Sequence, residues 1–103
     1  MTNIKQYAEI AVEYQKQIVC DLDRILVRAG LDEKLRLYIC SSYLFQTGTL
    51  HDGARLNING SEYFPKIVFA QEDGSIEQQP KEFSFHDHAN NSAHNYFDSL
   101  HGL

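Results

Sequence analysis

Most of the histidines of this chain stand close together near its C-terminal end, at His86, His88, His94 and His101. His86 and His88 form an H-x-H pair. On an extended segment such a pair turns both rings to one side, a geometry that suits two nitrogen ligands of zinc or nickel. Asp87, Asn91, His94, Asp98 and His101 recur at spacings of 4, 3, 4 and 3, which puts them on one face of a helix. There His94, Asp98 and His101 would hold a metal, or an aspartate would orient a histidine for general-base work. Against this, no cysteine stands near in sequence to complete a site, and a polar row is what any amphipathic helix shows to water. The expectation is a solvated face with no bound metal or cofactor, the alternative to it being a binding surface that responds to pH.

Nucleophile chemistry has weaker signals. Cys20 and Cys40 lie without metal-type spacing, Cys40-Ser41-Ser42 falls in an expected strand, and there is no G-x-S-x-G elbow. Both cysteines read as small core fillers. His51-Asp52-Gly53 reads as a turn, since catalytic partners meet in space rather than in sequence. No enzyme is expected.

Charge is the more informative property. The net charge is −5. Residues 1–60 are balanced, with Glu9, Glu13, Asp21, Asp23, Asp32, Glu33 and Asp52 against Lys5, Lys16, Arg24, Arg28, Lys34, Arg36 and Arg55. Residues 61–103 carry Glu62, Glu72, Asp73, Glu77, Glu82, Asp87 and Asp98 against only Lys66 and Lys81, so the whole surplus lies there. A direct nucleic-acid binder needs clustered Lys and Arg to displace counterions, and none is present. An acidic half argues for a basic protein partner. Tyr63 and Tyr96 lie in the same region, and tyrosine beside carboxylates makes a contact surface. The expected partner-binding residues are therefore Tyr63, Glu72, Asp73, Glu77, Glu82, Asp87, Tyr96 and Asp98.

The elements that must position these residues begin with one long amphipathic helix, from about Thr2 to Ala29, capped by Thr2 or Asn3 and stopped by Gly30. Its apolar residues fall in one arc of roughly 160°, broken only by Gln15. Leu35, Leu37 and Ile39 then alternate with Arg36, Tyr38 and Cys40, predicting a half-buried strand that continues through Tyr43-Leu44-Phe45. Gln46–Thr49 and His51–Gly53 read as turns. Arg55–Ile58 is a short strand closed by Asn59-Gly60, the strongest hairpin signal in the chain. Tyr63–Ala70 and Ile76–Gln79 flank a second tight turn at Glu72–Ser75. Asp87 is the expected N-cap of a last helix ending at Leu100 or His101.

The fold class that follows is α+β in one domain, 1–103: a long N-terminal helix, an antiparallel meander of three or four strands, and a short C-terminal helix, with the helices on one face of the sheet. No apolar run approaches the ~20 residues that span a membrane. Met1–Gln6 lacks the apolar core of an export signal, so a cytoplasmic location with free thiols is expected. A helix of this length spans about 42 Å, longer than the ~33 Å diameter of a compact chain of this size, so it should overhang its sheet. That overhang would expose Ile4, Tyr7, Ala8 and Ala11 as an oligomer interface. The functional expectation is a small acidic non-enzymatic binding protein, of the inhibitor, immunity or phage counter-defence kind, covering a basic surface of a protein target. The alternatives are a homo-oligomeric structural or adaptor subunit joined through the long helix, a homodimer in its simplest form, and a histidine-rich metal-binding protein or metal-dependent enzyme.

Overall fold

In the computed structural model, which describes residues 3–102, helix α1 runs unbroken over Ile4–Arg28. Asn3 caps it, its side-chain oxygen accepting from the Lys5 N–H at 2.8 Å. Thr2, the other expected cap, lies outside the described residues. Gly30 ends the helix at φ +82°, where a residue with a Cβ would be strained. The Leu31 N–H then returns to the Leu26 carbonyl at 3.2 Å and the Gly30 N–H to Val27 at 3.0 Å, the paired bonds of a Schellman stop.

The next segment departs from expectation. Residues expected as a strand at 35–45 and turns at 46–49 and 51–53 form a second helix, α2, Glu33–Gly53. Asp32 caps it through the Leu35 N–H at 2.8 Å. The physical reason is that α2 carries no charged residue from Leu37 to Leu50, so no hydrophilic face marks its period. The Ser41 and Thr47 hydroxyls donate back to the Leu37 and Tyr43 carbonyls at 2.9 and 3.0 Å, satisfying their polarity inside the helix.

Four short antiparallel strands follow. β1 (Leu56–Ile58) pairs with β2 (Ser61–Tyr63), Leu56 facing Tyr63 and Ile58 facing Ser61. Asn59 and Gly60 turn between them at φ +52° and +82°, as an Asn-Gly hairpin requires. β3 (Phe69–Ala70) pairs with β4 (Ile76–Glu77) across the Glu72–Ser75 turn. The two pairs form separate two-stranded sheets rather than one continuous meander. Helix α3, Phe85–Ser99, closes the chain and packs on both other helices. The class is α+β, with the long N-terminal helix, antiparallel strands and C-terminal helix that the pattern implies. None of the described helices is long and apolar enough to cross a membrane.

All three helices pack through rows spaced by four. The buried positions are Tyr7, Ala11, Gln15, Val19 and Asp23 on α1; Cys40, Leu44 and Gly48 on α2; and Phe85, Ala89, Ala93 and Phe97 on α3, with Ser92 buried beside that last row. Such i±4 ridges fit into one another's grooves. One cluster joins Val19, Cys40, Leu44, Ala89, Ala93 and Phe97. A second joins Tyr7, Ala11, Phe83 and Phe85, with Ile67 and Phe69 over it.

This second cluster corrects the expected overhang. Tyr7 and Ala11 are fully buried and Ala8 is half-buried; only Ile4 of the four remains exposed. The 25 residues of α1 span about 38 Å, which fits the 43 Å long dimension of the molecule. The β3–β4 hairpin and the Phe83–Phe85 segment extend to cover its N-terminal half. The Tyr7 hydroxyl donates to the Ile67 carbonyl at 2.6 Å, and its ring meets Phe83 edge-on at 5.0 Å.

Gln15, the one break in the apolar arc, sits between the clusters. Its Nε2 donates to the Phe85 carbonyl at 3.0 Å, and its Oε1 accepts from the Ser92 hydroxyl at 2.7 Å. Gln15→Leu should therefore cost about 1–2 kcal/mol in urea unfolding, although it restores the apolar arc, because Ser92 loses its partner in a buried site. An unchanged midpoint would show that these bonds contribute nothing. Further along, buried Asp23 accepts from Arg36 Nε at 2.6 Å and from the Tyr96 hydroxyl at 3.3 Å, tying α1 to both other helices.

Candidate functional site

The densest polar arrangement lies where the end of α2 meets the start of α3. Gly48 faces the first turn of α3 so closely that a Cβ there would fall 2.7 Å from the His86 nitrogen and 2.8 Å from its Cα. One helical turn later, Asp52 receives that turn. Its Oδ1 accepts from the Phe85 N–H at 2.7 Å, and its Oδ2 from the His86 N–H at 2.8 Å. The Ser84 hydroxyl donates to Oδ2 at 3.0 Å, and His86 Nδ1 lies 2.6 Å from the same oxygen. Ser84, the N-cap residue of α3, makes no side-chain cap bond of its own. Asp52 supplies the cap from another helix, placing a carboxylate at the positive end of the α3 dipole. Burial alone would raise the Asp52 pKa, but the backbone N–H groups of His86 and Phe85, with the His86 and Ser84 side chains, outweigh it and hold the acid below its ordinary value.

Ser84, His86 and Asp52 are the residue types of a nucleophilic triad, but their geometry is different. A triad needs serine and carboxylate on opposite ring nitrogens. Here the Ser84 hydroxyl (2.8 Å) and the Asp52 carboxylate (2.6 Å) both meet Nδ1, and Nε2 faces Asp87 Oδ1 at 3.3 Å. The arrangement is a clamp on the helix start. Beside it opens a cleft of about 330 Å³, whose lining includes His51, Asp52, Phe64, Lys66, Gln79 and Lys81. Both lysines of the acidic half thus share one wall of the molecule.

The histidines do not converge. His86 belongs to the clamp, His88 stacks flat on Phe83 at 5.1 Å, His94 is exposed, and His101 reaches Glu33 at the start of α2. The H-x-H expectation assumed an extended segment, whereas positions 86 and 88 lie in a helical turn, where i and i+2 diverge. Among the described residues no group of three or more His, Cys, Asp or Glu can hold a metal. The row Asp87, Asn91, His94, Asp98 and His101 is exposed along its length. Asp87 lies inside the first turn of α3 rather than capping it. Cys40 is buried, and burial pushes its thiol up to about 11, so it is a core filler and no thiolate.

Of the expected contact residues, Glu72 and Asp73 are exposed at the tip of the β3–β4 hairpin, and Glu82 is exposed just before Phe83. Asp73 accepts from the Ser75 N–H at 2.9 Å and hydroxyl at 2.7 Å, bonds that hold its carboxyl below the usual range. Glu77 is half-buried and accepts from the Gln6 amide at 3.1 Å. These residues and Asp87 belong to segments gathered around the Tyr7 cluster. Asp98 lies at the other end of α3, about 16 Å away by helical rise, and Tyr63 is on the separate β1–β2 hairpin. Tyr96 turns inward: it is half-buried, and burial together with the Asp23 charge pushes its phenol up to about 12.

Gly48 and Asp52 escaped the sequence reading. The signal that would have found them is the four-residue row Cys40, Leu44, Gly48, Asp52, which only a helix brings to one side. The chain matches no family model, no curated protein and no solved structure.

Proposed function

We propose that this protein is a small acidic binding protein, not an enzyme, that covers a basic surface of a protein target. It would act in the cytoplasm as an inhibitor, immunity or counter-defence type factor, blocking a surface such as that with which a target holds nucleic acid. The observation that carries the reading is the state of Glu72, Glu82 and Asp98. All three are exposed, and none has an ion-pair partner within 4.0 Å among the described residues. Exposed carboxylates without an ion-pair partner of their own can be paired by a partner's Lys and Arg. The polar machinery at Asp52 supports the same reading, because it is spent on holding α3, the helix that carries Asp87 and Asp98, in place.

The test is ionic strength. For a partner captured from the native host, the dissociation constant should rise by at least about tenfold between 50 and 500 mM salt, and the loss should appear in the association rate. Affinity flat across that range would remove the electrostatic basis of the proposal.

A further inference from the structure

We propose that the outward face of α2 pairs with the same face of a second copy of this chain. The buried row of α2 faces α1 and α3, so the opposite side of the helix has no covering element among the described residues. That side is apolar. Leu35, Tyr38 and Phe45 are between 42% and 67% exposed, and Tyr43 and Leu50 are exposed along one flank. Leu35, Tyr38, Ser42, Phe45 and Thr49 recur at spacings of 3, 4, 3 and 4, the repeat with which two helices interlock along a seam.

Two observations select a second copy as the occupant. The first is charge. The molecule carries −5, so two copies meeting through acidic surfaces would repel. From Leu37 to Leu50 the helix has no charge of either sign, which makes this face one where two identical chains can meet without opposing carboxylates. The second is area. The large side chains that share the seam, Leu35, Tyr38 and Phe45, present on the order of 350 Å². With Ser42, Gln46 and Thr49 this approaches the ~600 Å² per partner of the smaller, weaker class of specific interface. A twofold centred on Ser42 sets Leu35 against Thr49 of the other copy. A hollow of about 350 Å³ beside the seam, lined by Ser41, Ser42, Phe45, Gln46 and Asn90, leaves room for an incoming aromatic ring. The seam is distinct from the acidic residues of the hairpin and of α3, so pairing leaves both copies' acidic surfaces free, and the inference stands apart from the partner reading.

Sedimentation velocity of the full chain from about 1 to about 500 μM is the direct test, because an interface of this size gives a dissociation constant in the micromolar class. A concentration-dependent dimer is expected. Tyr38→Glu and Phe45→Glu should each weaken it at least about tenfold by placing like charges across the seam. Both side chains are exposed, so helicity by circular dichroism should not change. Glu72→Gln should leave the dimer as it is. Ser42→Cys in a Cys20→Ser background should give a disulfide-linked dimer on mild oxidation. A monomer throughout that range, or a dimer that both glutamate variants leave intact, would overturn the inference. So would a monomer that binds phosphatidylcholine vesicles and loses them on Phe45→Glu, which would assign the face to a lipid surface.

Discussion

Asp52→Ala should lower the stability of this protein by about 3 kcal/mol, a fall of roughly 12–20 °C in Tm for a domain of this size. The substitution removes one side chain at the end of α2 yet strands the start of α3. The Phe85 and His86 N–H groups, the Ser84 hydroxyl and His86 Nδ1 all lose their shared acceptor. Bonds to an ionised acceptor are worth about twice those to a neutral one, and an ordinary cap accounts for only about 1 kcal/mol. Asp52→Asn keeps one acceptor oxygen and should lose less. The pH dependence has a definite sign. The folded carboxyl titrates below its ordinary value, so the stability it contributes is present above about pH 4 and is lost as pH falls through the lower folded value. Urea melts between pH 2 and 7 should show the Asp52→Ala deficit shrinking towards the acid end. A deficit equal at both ends would mean that the side chain acts through packing and not as a charged cap.

Gly48→Ala should destabilise by about 1–3 kcal/mol, the typical cost of overpacking, against the usual rule for a helix. In an exposed helical position alanine is about 1 kcal/mol better than glycine. At Gly48 the added carbon meets the His86 backbone at 2.7 and 2.8 Å, and backbone cannot rotate aside as a side chain would. Relief requires α3 to move away from α2, which also pulls its first turn from Asp52. The control is Gly53→Ala, where a Cβ meets nothing within 4 Å and stability should stay level or rise. Thermal unfolding of the two variants side by side separates a close helix crossing from simple backbone entropy. Equal behaviour would contradict the crossing.

Part of this fold could be read from the chain, and the division has a physical basis. α1, its Asn3 cap and its Gly30 stop were legible because one side of the helix is charged and the other is not. The Asn59-Gly60 hairpin was legible because few residue pairs tolerate two positive φ angles. α2 was not. It buries Cys40, Leu44 and Gly48 on one side and presents Tyr38 and Phe45 to solvent on the other, so hydrophobicity alternates with nothing. The candidate site was half legible. The exposed carboxylates at Glu72, Asp73 and Glu82 could be named from charge alone. The clamp could not, since Asp52 and His86 stand 34 residues apart and meet only because two helices cross at a glycine. Tyr7 and Ala11 are buried and not exposed at an overhang because this molecule is drawn out along α1, unlike the spherical chain against which the helix looks too long.

The charge on the surface carries the functional account, and removing it without touching the fold is the most direct examination. Glu72→Gln, Glu82→Gln and Asp98→Asn combined delete three exposed carboxylates that make no ion pair among the described residues, so the variant should unfold with the native midpoint. The measurement is the affinity of wild type and triple variant for the partner captured by the wild type, at one low ionic strength. The account predicts a basic partner and a loss of at least about tenfold in the variant. Equal affinity of the two proteins, or a captured partner with an acidic contact surface, would contradict it.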